Sequence, residues 1–189
     1  MSQYWIAAAA VIAGLLLIVV GIVLWRRRRG PELVHALDSV AIERLQNVLL
    51  PDGMGGQIQV EHLVLTGHGL LVIDAKSFGG TIFAGERMAE WTVIGKNGRF
   101  TFPNPLGTLY DRVAALRQLV RDIPVAGYVL FGGTADFSKG RPRDVLSAAE
   151  LIDRYRRPDK GEIEQLIVAF APHWDRVKAA IEPVSVESR

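Results

Sequence analysis

A chain of 189 residues is long enough for one domain with a real core, and the absence of cysteine excludes disulfides and thiolate metal sites. The net charge of +2 and pI near 9.1 misstate its surface, because residues 1–25 are uncharged and Arg26, Arg27, Arg28 and Arg29 follow. Without those arginines the chain sums to −2, which argues against the broad basic footprint of a strong DNA binder.

Tyr4 to Trp25 is an uncharged, mostly apolar run of twenty-two residues. As a helix it would span about 33 Å, the thickness of a bilayer core. Tyr4, Trp5 and Trp25 stand at its ends, where aromatic rings favour the membrane interface. The run exceeds the apolar region of a signal peptide, and its basic residues follow rather than precede it. A single transmembrane helix is therefore expected in residues 1–29. The positive-inside rule puts the N-terminus outside the cell membrane and the rest in the cytoplasm. Ala10 and Gly14 form a small-xxx-small pair suited to helix pairing, so a homo-oligomer or protein partner stays open.

Residues 30–182 are expected to form one domain, and 183–189 a disordered tail. Residues 32–41 suit a short helix, while 42–50 fit either a helix or a first strand. Pro51-Asp-Gly-Met-Gly-Gly56 is turn chemistry. Residues 58–65 and 70–76 are strand-like runs around Thr66-Gly67-His68-Gly69, which predicts a tight hairpin. A two-residue loop at Gly67-His68 and a four-residue loop give one register, placing Glu61 opposite Asp74 and Gln59 opposite Lys76. A three-residue bulged loop would shift that register by one.

Glu61, Asp74 and Lys76 are the candidate catalytic residues. Side chains alternate along strands, so these three share a face with Gln59. Like charges opposed on a hairpin are destabilising, and a divalent cation would turn that repulsion into a ligand cage. Lys76 beside it would stabilise negative charge developing on a phosphate. His62 falls on the other face and His68 in the turn.

Residues 81–84, 91–94 and 100–102 read as short strands, with a turn at Lys96–Arg99. Trp91, Phe100 and Phe102 suit either a core or base stacking. Asn104-Pro105 is a helix start, with Leu106, Leu109, Tyr110, Val113, Leu116 and Val120 at helical spacing. Residues 125–131 read as a buried strand. Ser147-Ala-Ala-Glu150 is a capping box for a helix to about Arg157, and 160–181 is helical in pattern but interrupted at Pro172. Lys139, Arg141, Arg143, Arg154, Arg156, Arg157 and Lys160 form a late basic stretch, suited to phosphate, anionic lipid or plain solvation. This order of elements predicts an α/β or α+β domain with a mixed sheet.

Gln59-Val60-Glu61-His62, Val72-Ile73-Asp74-Ala75-Lys76, Gly79-Gly80-Thr81-Ile82, Trp91 and Asn104-Pro105 together resemble the nuclease-related domain (NERD) family over roughly Glu32 to Gly132. That family is placed in the PD-(D/E)XK nuclease-like superfamily, so the resemblance implies a restriction-endonuclease-like mixed β-sheet flanked by helices. It implies Glu61 and Asp74 as ligands to Mg²⁺ or Mn²⁺, with the Ala75 carbonyl completing the set. It implies that Lys76 positions the attacking water or stabilises transition-state charge, and that an N-terminal helical acid contributes. Glu32 is the candidate for that acid, with Asp38 and Glu43 as rivals. Glu61 stands where the family usually has Asp, Asp74 where it usually has Glu, and Thr108 where it has Gln.

Two functions follow. One is a membrane-tethered, metal-dependent nuclease on DNA or RNA. The other is a membrane-anchored binding or scaffold domain that retains the fold without turnover.

Overall fold

The computed structural model describes residues 31–96 and 98–183; the expected membrane anchor and its arginine flank lie outside the described residues. Helix α1 (Pro31–Val40) leads into an antiparallel meander of β1 (Glu43–Pro51), β2 (Gln57–Thr66) and β3 (Gly69–Lys76). Three short strands follow: β4 (Gly80–Phe83), β5 (Glu90–Gly95) and β6 (Gly98–Pro103). Next come α2 (Leu106–Leu119), β7 (Val125–Phe131), β8 (Ala135–Asp136), β9 (Val145–Ser147) and α3 (Ala148–Arg154). The long helix α4 (Lys160–Ala180) and β10 (Glu182–Pro183) complete the described chain.

Among the described residues the strands form a six-stranded sheet, β10-β1-β2-β3-β7-β9, and a four-stranded sheet, β6-β5-β4-β8. β3, β7 and β9 run parallel, while β1, β2 and β3 alternate. Helices flank the sheets, giving the expected mixed α/β fold. No described helix is long and apolar enough to cross a membrane.

Both faces of the central hairpin are buried, because its strands are apolar at successive positions rather than alternate ones. Leu63, Leu65, Leu70 and Val72 face α2, meeting Leu109, Val113 and Leu116, in a cluster that also takes in Trp174 and Val177 of α4. Val64, Leu71 and Ile73 face the other way, onto Leu33 and Leu37 of α1 and Leu151 of α3. Each fully buried side chain of this size contributes about 1.5–3 kcal/mol.

The region 42–50, open between helix and strand, is β1, fixed by its pairing with β2. Asn104 opens α2 as expected: its Oδ1 accepts the Leu106 N–H at 3.0 Å, while Pro105 takes helical dihedrals. The Ser147–Glu150 capping box forms, but its helix ends at Arg154 rather than near Arg157. The interruption expected at Pro172 does not occur, and α4 runs through it. Burial of Trp174 and Val177 just beyond holds the helix across the lost hydrogen bond. Pro183, expected to open the tail, instead pairs with Val48 of β1.

Candidate active site

The hairpin turn fixes the site's register. Thr66 Oγ1 donates to the Gly69 carbonyl at 2.9 Å and accepts the His68 N–H at 3.1 Å. Gly69 has φ of 115°, a conformation that glycine adopts without steric cost. Thr66 then pairs with Gly69, and the ladder climbs through Leu65/Leu70, Leu63/Val72 and His62/Ile73.

The register is the expected one, but the ladder ends at His62/Ile73 instead of continuing to Gln59/Lys76. Beyond that point β2 follows β1, pairing Gln59 with Leu49, while β3 follows β7 as far as Lys76/Phe131. Each strand has a stronger claim on its outer neighbour, and the charged residues sit where the two part.

Asp74 is 7% exposed. Lys76 Nζ donates to its Oδ1 at 3.0 Å, and Arg112 Nη1 of α2 lies 3.5 Å from its Oδ2. Arg112 also donates from Nε to the Gln59 carbonyl at 2.6 Å, tying α2 to β2. Glu61 Oε2 accepts the Ala75 N–H at 3.1 Å, and its Oε1 lies 4.0 Å from His62 Nε2. The two carboxylates are thus held by separate groups, which relieves the repulsion expected of an opposed pair.

A backbone irregularity marks the same spot. The β1–β2 register passes from Gln46/His62 to Val48/Val60, skipping the position where Asn47 would face Glu61. Asn47 has φ of 50°, the left-handed region that asparagine tolerates better than other side chains.

The remaining candidates are placed differently. The side chain of Gln59 is exposed, and its carbonyl makes the Arg112 contact. Glu32 accepts the Gly133 N–H at 3.3 Å, and α1 packs on the opposite sheet face from Asp74. Its rivals have structural partners: Asp38 pairs with Arg44 at 2.8 Å, and Glu43 accepts from Trp174 Nε1 at 2.6 Å. Among the described residues no three His, Asp or Glu side chains gather closely enough to cage a metal. Glu61, Asp74 and the Ala75 carbonyl are all oxygen donors, the ligand chemistry that Mg²⁺ or Mn²⁺ takes alongside several waters.

Arg112 was missing from the sequence expectations, although a signal existed. It stands three residues after Leu109 and four before Leu116, on the stripe where helical spacing calls for an apolar residue.

The nuclease-related domain profile matches residues 33–132, 100 of the chain's 189 residues. The chain belongs to the nuclease-related domain family. An uncharacterized protein of Bacillus anthracis is 28% identical over 100 residues, covering 51% of this chain and 47% of that protein. The chain therefore spans about half the length of this curated relative. No solved structure matches. The nuclease-related segment runs from α1 to the end of β7 and so holds the split hairpin, strands β4, β5 and β6 of the small sheet, and Arg112.

Outside that segment two members of the basic stretch are engaged within the fold. Arg141 makes a bidentate pair with Glu150 at 2.7 and 2.6 Å, and Arg154 lies over the Tyr128 ring. Burial, followed by the Asp144 hydrogen bond at 2.8 Å, raises the Tyr110 phenol to about 12.

Proposed function

We propose that this protein is a divalent-cation-dependent phosphodiesterase acting on nucleic acid, DNA or RNA, through a restriction-endonuclease-like core. In this reading residues 1–29 tether it to the cell membrane, with the catalytic domain in the cytoplasm. One observation carries the reading: Glu61, Asp74, Lys76 and Arg112 converge from β2, β3 and α2 where the hairpin splits. Glu61, Asp74 and the Ala75 carbonyl would hold Mg²⁺ or Mn²⁺. Lys76 and Arg112 supply positive charge for a phosphodiester and for the charge that develops on its hydrolysis. The bound cation would supply Lewis acidity and a more acidic water.

Hydrolysis of labelled single-stranded and duplex DNA and RNA by the full-length chain in detergent, with Mn²⁺, tests this. Glu61→Ala and Asp74→Ala should each lose at least about a hundredfold in rate while keeping the circular dichroism of the parent. Wild-type rates in both variants would remove the site assignment, and unchanged activity in excess chelator would remove the metal.

The scaffold reading has its own support, since Lys76 and Arg112 already balance Asp74. Mn²⁺ titration calorimetry separates the two. A nuclease site binds the ion and loses it with Asp74→Ala; a scaffold shows no carboxylate-dependent binding.

A further inference from the structure

Resting on that reading, we propose that Phe100, braced by Phe78, is a stacking platform for an unpaired nucleobase beside the phosphate held at Lys76 and Arg112. β6 is the edge strand of the small sheet and pairs with β5. Phe100 and Phe102 point to the same side of it. Phe102 packs inward against Trp91, ring centroids 5.9 Å apart, and Trp91 is fully buried. Phe100 is left 44% exposed.

Phe78 connects this patch to the candidate active site. Its ring meets Phe100 edge-on at 5.2 Å, and lies 5.0 Å from Phe102 and 6.3 Å from Phe131. Phe131 is the register partner of Lys76. Phe78 itself follows Lys76 by two residues, a backbone reach of about 7 Å. It packs on the same core cluster as Leu63, Val72 and Val113, on the sheet face where Asp74 meets Arg112. The aromatic patch therefore connects through Phe78 and Phe131 to the strand end that carries Lys76, on the sheet face that α2 covers.

The chemistry favours an unpaired strand. Every base offers a π-face, so an aromatic platform binds without reading sequence. Bases inside a duplex already have both faces stacked and leave none for Phe100. The charge balance points the same way. Setting the four N-terminal arginines aside, the chain sums to −2, too little for affinity resting on many phosphate contacts. Stacking supplies affinity that does not depend on charge.

The test uses the full-length chain in detergent and a fluorescein-labelled oligothymidine strand, with its duplex as control. Anisotropy is read both with Ca²⁺ and with chelator. Wild type should bind the strand more tightly than the duplex. Phe100→Ala should weaken strand binding about tenfold and duplex binding less than twofold, and Phe100→Trp should restore the strand. A strand carrying 2-aminopurine should lose emission on wild type and keep it on Phe100→Ala. If Phe100→Ala binds the strand like wild type while Lys76→Ala weakens it, the platform is wrong and the nuclease reading stands. If wild type binds neither strand nor duplex, the nuclease reading itself falls. Contact with lipid is the other outcome. In vesicles with brominated acyl chains, extra tryptophan quenching in Phe100→Trp over wild type would place this edge in the membrane and overturn the proposal.

Discussion

Arg112 is the residue on which the candidate site most depends for its shape. It makes one contact to the Asp74 carboxylate and another to the Gln59 carbonyl, from a helix that neither strand belongs to. Arg112→Ala should lower stability by about 1.5–3 kcal/mol, the range for a hydrogen bond with a charged partner, and reduce any hydrolysis at least about tenfold. Arg112→Lys keeps the charge but loses the planar fork that serves both partners, so it should recover part of the activity and little of the stability. Thermal denaturation and rate measurement on the three proteins check this; wild-type activity in Arg112→Ala would make the residue a strut alone. At this scale the sequence was informative up to a point. Thr66-Gly67-His68-Gly69 sets the register, so the relation of Glu61 to Asp74 follows from local turn chemistry. The parting of the strands does not, because β1 and β7 decide it through long-range pairing.

At the scale of elements, the turns and caps were legible because their chemistry is local. Asn104, Ser147 and Glu150 make the bonds their types and spacing predict. Residues 42–50 were ambiguous because Leu45, Val48, Leu49 and Leu50 suit either period, and pairing with β2 decides it. The start of α3 also yields a pH prediction. Glu150 is held at about 2, well below the ordinary 4.5, first by its hydrogen bonds with Arg141 and then by the Ser147 backbone N–H. A depressed carboxylate stabilises the fold above its unfolded pKa and loses that contribution as pH falls. The Glu150 side chain is 40% exposed, so solvent screening discounts the effect to about 1 kcal/mol. Glu150→Gln should therefore be less stable by about that amount at pH 7. The gap should close as pH drops from 4.5 toward 2, read by urea denaturation along a pH series. A gap that does not change with pH would assign the effect to capping geometry instead of charge.

Across the whole molecule, α4 is the element whose attachment is least evident from sequence. Its apolar residues do not all reach a core: Val168 is 76% exposed, whereas Trp174 is 1% exposed. The helix is pinned toward its C-terminal end, where Trp174 fills the α2 side of the large sheet and donates Nε1–H to Glu43 Oε2 at 2.6 Å. That bond links residues 131 positions apart, and Lys178 Nζ approaches the same oxygen at 3.8 Å. Glu43, a rival for the metal-binding acid by sequence, therefore closes the domain instead. Trp174→Phe keeps most of the buried area and loses the indole donor, so it should cost about 1–2 kcal/mol. Trp174→Ala also opens a cavity and should cost about 3–5 kcal/mol. Hydrogen exchange distinguishes release of the helix from collapse of the domain. If α4 is an attached strap, Trp174→Ala should expose the amides of 160–180 while those of β2, β3 and β7 stay protected. Equal loss of protection in both regions would mean that the long helix is part of the folding core that carries Asp74 and Lys76, and not an addition to it.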